Sequence, residues 1–233
     1  METKVIIGLI LLLLVFFSIA VWFANSVAYT KGVSDKEICR MSVIAKWAGK
    51  KASFYLTDGI IDLKCNTQII EINRDSVLKN GKEIETMKEI TDSGTEEKIK
   101  RIVANEMYDC WYQFSRGQFD FTQAGIMRNA NICVVCSEIT FSKEIIKEVP
   151  LISDFTAWLS QNNVLGAKES YLDYFMNKAP ELNQELKTDF KIDNEIRTEK
   201  TYQVIFEAHQ PTYAPILLFA DIEQVPEDCV RFY

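Results

Sequence analysis

Ile132-Cys133-Val134-Val135-Cys136-Ser137-Glu138-Ile139-Thr140-Phe141 is the stretch that decides the fold. β-Branched and aromatic residues fill it and neither glycine nor proline interrupts it, so it reads as a buried or half-buried strand. It also contains Cys-x-x-Cys, the one spacing in the chain that resembles a reactive motif. A thiol–disulfide oxidoreductase sets such a pair at a helix N-terminus, where the dipole lowers the first thiol's pKa. Here no helix signal follows. In a strand, residues three apart point to opposite faces with Cα atoms about 10 Å apart, beyond the roughly 7 Å that a disulfide can span. Cys133 and Cys136 are therefore expected to serve opposite sides of a sheet rather than each other.

Upstream, Thr95 is expected to cap the clearest helix, with Glu96 and Glu97 in a first turn that favours negative charge. Its stripe of Ile99, Ile102, Val103, Met107, Cys110, Trp111 and Phe114 keeps a helical period over four turns, and Gly117 ends it. Core packing is the reading for Trp111 and Phe114. If this stripe meets the strand face carrying Cys133, Val135, Ile139 and Phe141, the best single bridge is Cys110–Cys133. Cys136 then joins Cys229 or Cys65, and Cys39 takes the remaining one; six cysteines allow fifteen complete pairings.

Further out, Ser34-Asp35-Lys36-Glu37 spells a capping box, opening a helix from about 35 to 49 with Ile38, Met41, Ala45 and Ala48 on one face. Residues 53–84 turn strand-like, and Asn80-Gly81 marks a hairpin between Val77-Leu78-Lys79 and Lys82-Glu83-Ile84. Short helices are expected near Ser153–Gln161 and Lys168–Asn177, and strands at Tyr202–His209 and Pro215–Ile222. Tyr202, Val204, Phe206 and Ala208 share one strand face, while His209 lies on the face shared with Gln203 and Glu207 and is expected to be exposed or hydrogen-bonded. The order of elements predicts an α+β domain of helices and antiparallel sheet, stapled by disulfides.

At the other end of the chain, Val5 to Phe23 is nineteen residues without charge or proline. A helix of that length covers roughly 28 Å, close to the hydrocarbon thickness of a bilayer. Val5, Leu9, Leu12, Phe16, Trp22 and Phe23 mark it as a transmembrane anchor, so residues 1–30 are assigned to the anchor and 34–233 to the domain. A signal peptide cleaved near Ala28, after Ser26-Val27, is the alternative. Lys31, Lys36 and Arg40 after the run outnumber Lys4 before it, which by charge alone favours a cytoplasmic domain. Six cysteines, none of them in the run, favour an oxidising compartment instead. The expected topology is single-pass, with the C-terminal domain outside the cell.

Composition narrows the function. Thirty-three acidic against 26 basic side chains give a net charge of −7, which argues against a nucleic-acid binder. No nucleophile elbow, zinc-protease helix, phosphate loop or dinucleotide fingerprint occurs, and His209 is the only histidine. Nothing among the acids singles out a hydrolytic pair. A zinc site drawn from Cys110, Cys133, Cys136, Cys229 and His209 lacks the second close cysteine pair of zinc ribbons. No catalytic residue, metal or cofactor is assigned.

Met107-Tyr108-Asp109-Cys110-Trp111, Gly117-Gln118-Phe119-Asp120-Phe121 and the strand at 133–141 together resemble a group of membrane-anchored, cysteine-containing surface proteins of small-genome archaea. The resemblance implies a cell-surface location and carries over no catalytic or binding residue. The expected function is a structural or interaction component of the envelope, in a surface assembly or pilin-like filament. Its partners would be membrane lipid, through the N-terminal helix, and a protein partner or further copies of the chain. The alternatives are an envelope enzyme, using either Cys133 and Cys136 or a carboxylate pair, and a metal-binding domain.

Overall fold

The computed structural model describes residues 34–52, 63–84, 94–121, 131–176, 191–209, 214–225 and 229–231. Lys36–Tyr233 forms one unit and Met1–Asp35 another. The expected anchor, from Val5 through Phe23, and the strand-like stretch of Phe54, Leu56, Ile60 and Ile61 lie outside the described residues. Among the described residues no helix is long and apolar enough to cross a membrane.

Helix α1 spans Asp35–Ala52. Strand β1 (Gln68–Ile72) turns through β2 (Val77–Lys79) into β3 (Lys82–Glu83). The hairpin expected at Asn80-Gly81 is there, with φ of 52° and 75°, the left-handed pair that a two-residue turn requires. Helix α2 (Thr95–Gln113) leads into β4 (Asn131–Phe141), the central strand. Short elements follow: α3 (Lys143–Glu148), β5 (Leu151–Ile152), α4 (Phe155–Gln161), α5 (Tyr171–Met176), β6 (Lys191–Ile192) and β7 (Ile196–Arg197). Strands β8 (Tyr202–His209), β9 (Ala214–Asp221) and β10 (Cys229–Arg231) complete the chain.

The sheet runs β3-β2-β1-β4-β8-β9-β6, and β10 shares with β1 the edge of β4. The hairpin strands and β4-β8-β9 are antiparallel, but β1 and β10 lie parallel to β4, and β6 lies parallel to β9. The domain is α+β as expected, with a mixed rather than an antiparallel sheet. The cause is the connection between β1 and β4, which contains α2 and returns the chain in its original direction, as parallel pairing demands.

All seven residues of the predicted α2 stripe are buried, facing Ile70, Ile139, Val204, Phe206 and Phe219 of the sheet. Phe114 stacks on Phe206 at 4.1 Å between ring centroids, and Trp111 approaches the same ring at 5.9 Å. Thr95 does not cap the helix: its hydroxyl donates to Glu148 of α3 at 2.6 Å. After Gln113 the chain reverses through Ser115, Arg116 and Gly117, with φ of 51°, 57° and 69°. Three successive left-handed residues are an uncommon turn, and the two that are not glycine each cost roughly 1–2 kcal/mol.

The sheet's second face is covered in part as well. Gln203 and Glu207 are buried there, beside a small cluster of Cys133, Val135, Ile205 and Leu218. In helix α1 the four residues expected on one face do share it, and it is the outer face. Cys39, Ser42 and Val43 turn inward, whereas Ile38, Met41, Ala45 and Ala48 face outward.

Candidate functional site

The cysteines are the first candidates. Cys39 is bonded to Cys65 and Cys110 to Cys136, with Cα separations of 4.5 and 5.5 Å. Cys133 is disulfide-bonded as well, and no free cysteine is present among the described residues. The expected Cys110–Cys133 bridge is therefore corrected to Cys110–Cys136. The reason is a bulge: the pairing of β4 with β8 shifts between Val135 and Ser137. Before it, Ile132, Val134 and Cys136 face α2; after it, Ile139 and Phe141 do. Strict alternation carried back from Ile139 assigns the wrong cysteine, because a bulge inserts one extra residue and reverses the parity of all that precede it.

Cys136 and Cys133 thus belong to opposite faces and bond to different partners, so they do not form the paired couple a thiol oxidoreductase uses. The sulfurs of Cys110 and Cys136 are bonded to each other and are not thiolate ligands. No group of three or more ligating side chains that could hold a metal exists among the described residues.

A second candidate emerges where α2 meets α1 and the hairpin. Asn105, Glu106, Tyr108 and Asp109 share one flank of α2, since residues three and four apart are neighbours on a helix. With Lys36 of α1, Lys79 of β2 and Leu165 they line a cleft of about 400 Å³. Glu106 is 8 % exposed, and Lys79 Nζ donates to its two carboxylate oxygens at 2.9 and 3.2 Å. Burial raises the Glu106 carboxyl above its ordinary value, and the Lys79 ammonium offsets only part of that. Lys36 Nζ donates to Asp109 Oδ1 at 2.9 Å. Burial alone would lower the Lys36 pKa, but the hydrogen bond and charge of Asp109 outweigh it, so the ammonium is held above its ordinary value.

Tyr108, on the wall of the cleft, belongs to an aromatic cluster. Tyr108 packs on Tyr174 at 4.4 Å and stacks with Tyr112 at 6.2 Å. Arg116 covers the Tyr174 ring at 3.9 Å, and Arg40 covers Tyr112 at 4.2 Å. Burial pushes the Tyr174 phenol up to about 12, against the opposing pull of Arg116. Tyr112 donates to Glu37 of α1 at 3.1 Å, and Tyr171 to Asn105 at 2.5 Å.

Chemically, the cleft is a self-satisfied set. Each carboxylate has its own ammonium, so the net charge of the four groups is zero and a charged ligand would have to displace a partner. Its evident effect is to brace α1 and the hairpin against α2. Sequence reasoning did not find it, because its two acids are among 33 in the chain and its lysines come from elements distant in the chain. A second cleft, of similar volume, has Asp193, Glu195, Lys200 and Asp221 on its walls; there Lys200 pairs with Asp221 and holds that carboxyl below its ordinary value. The His209 side chain and that of Cys229 lie outside the described residues. No protein family, curated protein or solved structure matches the chain.

Proposed function

We propose that this chain is a membrane-anchored, extracytoplasmic structural or interaction protein of the cell envelope. The observation that carries the reading is the state of its sulfurs: Cys39, Cys65, Cys110, Cys133 and Cys136 are all oxidised to disulfides. Such bridging belongs in an oxidising compartment, and the apolar run Val5–Phe23 supplies the anchor. The resemblance to archaeal surface proteins points the same way. The internally neutralised cleft favours a scaffold over a catalyst, since its polar side chains are engaged with one another.

The test is a thiol count by mass spectrometry on the chain taken from its own membranes. No alkylation is expected before reduction and six alkylated cysteines after it. Peptide mapping should join Cys133 to Cys229, the cysteine outside the two bridges described. Alkylation of the unreduced protein, or zinc in the preparation, would overturn the assignment of compartment. An extracted protein that stays monomeric and retains no envelope partner would overturn the interaction role.

A second reading, an envelope hydrolase, rests on Glu106: a carboxyl with a raised pKa beside Asp109 in a cleft is what a general acid requires. Hydrolytic activity abolished by Glu106→Gln, with the melting temperature kept, would establish it in place of the first.

A further inference from the structure

The cleft beside α2 holds two ion pairs that water reaches to different degrees. In the Lys79–Glu106 pair the carboxylate side chain is nearly buried, and both its oxygens accept from the one ammonium. In the Lys36–Asp109 pair the side chains are 41 % and 20 % exposed, and a single hydrogen bond joins them, from Lys36 Nζ to Asp109 Oδ1. An ammonium carries three donors and an ionised carboxylate about four acceptor sites. The more exposed pair therefore has donors and acceptors left to offer, side by side on the cleft wall.

A ligand with one charge gains little at such a pair, because attraction by one partner is offset by repulsion from the other. A zwitterion escapes that cancellation. Its carboxylate can accept from the remaining Lys36 N–H groups while its ammonium donates to Asp109 Oδ2. The two dipoles then lie antiparallel, the existing hydrogen bond stays, and the cleft remains neutral. Spacing favours one kind of zwitterion. Standard bond lengths put the ammonium nitrogen of an α-amino acid roughly 2.7 Å from its nearer carboxylate oxygen. That is close to the 2.9 Å between Lys36 Nζ and Asp109 Oδ1. A zwitterion with its charges several carbons apart does not match.

The rest of the wall bears on the side chain. Ile84, Val164 and Leu165 give the cleft an apolar side. Leu165 is 82 % exposed, the highest value for a large hydrophobic side chain among the described residues. It is not on a loose tip. Ala167 N donates to Val164 O at 2.9 Å, and Gly166 has φ of 77°, the left-handed angle that the third position of a type II turn requires. An ordered turn thus holds a leucine in water at the cleft, where an apolar ligand group would cover it.

We infer that this cleft binds a free α-amino acid with an apolar side chain. Its carboxylate lies on Lys36, its ammonium on Asp109, and its side chain against Ile84, Val164 and Leu165. The volume of about 400 Å³ falls within the range of small-molecule sites. The inference goes beyond the envelope role, does not depend on the anchor, and asks no chemistry of Glu106.

The experiment is equilibrium dialysis of the full chain, in detergent, against radiolabelled L-leucine. Saturable binding of one leucine per chain is expected. N-acetyl-L-leucine keeps the carboxylate and side chain without the ammonium charge, and L-leucinamide keeps the ammonium without the carboxylate. Each should need at least a tenfold higher concentration than unlabelled leucine to displace the label. Asp109→Asn should abolish binding with the melting temperature kept. Leu165→Ser, at a position already in water, should leave the fold intact and weaken binding several-fold, so it decides the matter if Asp109→Asn unfolds. No saturable binding, displacement by either analogue as readily as by leucine, or an unchanged affinity in Leu165→Ser overturns the inference.

Discussion

At the scale of single residues, Glu106 makes the pH behaviour of the domain predictable. Its folded pKa lies above the unfolded value of 4.5 because burial disfavours the carboxylate. Between those two values the folded state binds the proton more tightly, so stability rises as pH falls through that window and declines as pH rises through it. Glu106→Gln removes the titrating group. Thermal unfolding between about pH 7 and pH 4.5 should therefore show the native chain gaining on the variant as the pH is lowered. A constant difference, or one that grows the other way, would mean that Lys79 rather than burial governs Glu106. Nothing in the sequence marks this residue, because burial of a carboxylate is decided by which helix flank meets a neighbour. The apolar residues were legible where the charged ones were not: Ile99, Ile102, Val103, Met107, Cys110, Trp111 and Phe114 announce their own burial by their spacing.

At the scale of elements, two glycines with similar backbone angles separate conformational strain from crowding. Gly81 in the hairpin has φ of 75° and open space around it, so Gly81→Ala should cost only the left-handed penalty of about 1 kcal/mol. Gly117 has φ of 69°, but a Cβ there would lie 2.5 Å from Pro215 Cγ and 2.7 Å from Pro215 Cβ. The clash adds to the strain, and Gly117→Ala should cost about 2–4 kcal/mol. Urea unfolding of both variants measures the difference; equal losses would show that the turn after α2 yields without disturbing β9. The elements themselves were readable in large part. The α1 start, the hairpin, α2, β4, β8 and β9 follow from caps, turn residues and periodicity. What escaped was orientation. The outward apolar face of α1 contradicts the rule that such a face seeks the core, because a disulfide on its other side decides which way the helix turns. The parallel strands escaped because pairing partners distant in sequence leave no local periodic signal.

For the whole molecule, covalent ties link the helices to the rest of the fold. One joins α1 to the segment before β1, and another joins the last turns of α2 to the centre of β4. Each closes 26 residues, so the two should restrict the unfolded chain equally, by about 3 kcal/mol. Cys39→Ala/Cys65→Ala and Cys110→Ala/Cys136→Ala should therefore lose similar stability in urea. Hydrogen exchange should differ between them, rising in α1 for the first pair and in α2 with β4 for the second. A markedly smaller loss in either would show that its native geometry opposes the bridge.

The one-residue bulge in β4 has a consequence for how those ties are made. Cys133 and Cys136 compete for partners while the chain is still unfolded, since only two residues separate them and either sulfur can be oxidised first. Once β4 has zipped to β8, the two thiols lie on opposite sides of a continuous hydrogen-bonded layer, and exchange between them has no line of attack. Mispaired bridges must then be repaired before the central sheet closes, or only by reopening it. Oxidative maturation of this domain should thus have a deadline, set by strand pairing rather than by sulfur chemistry.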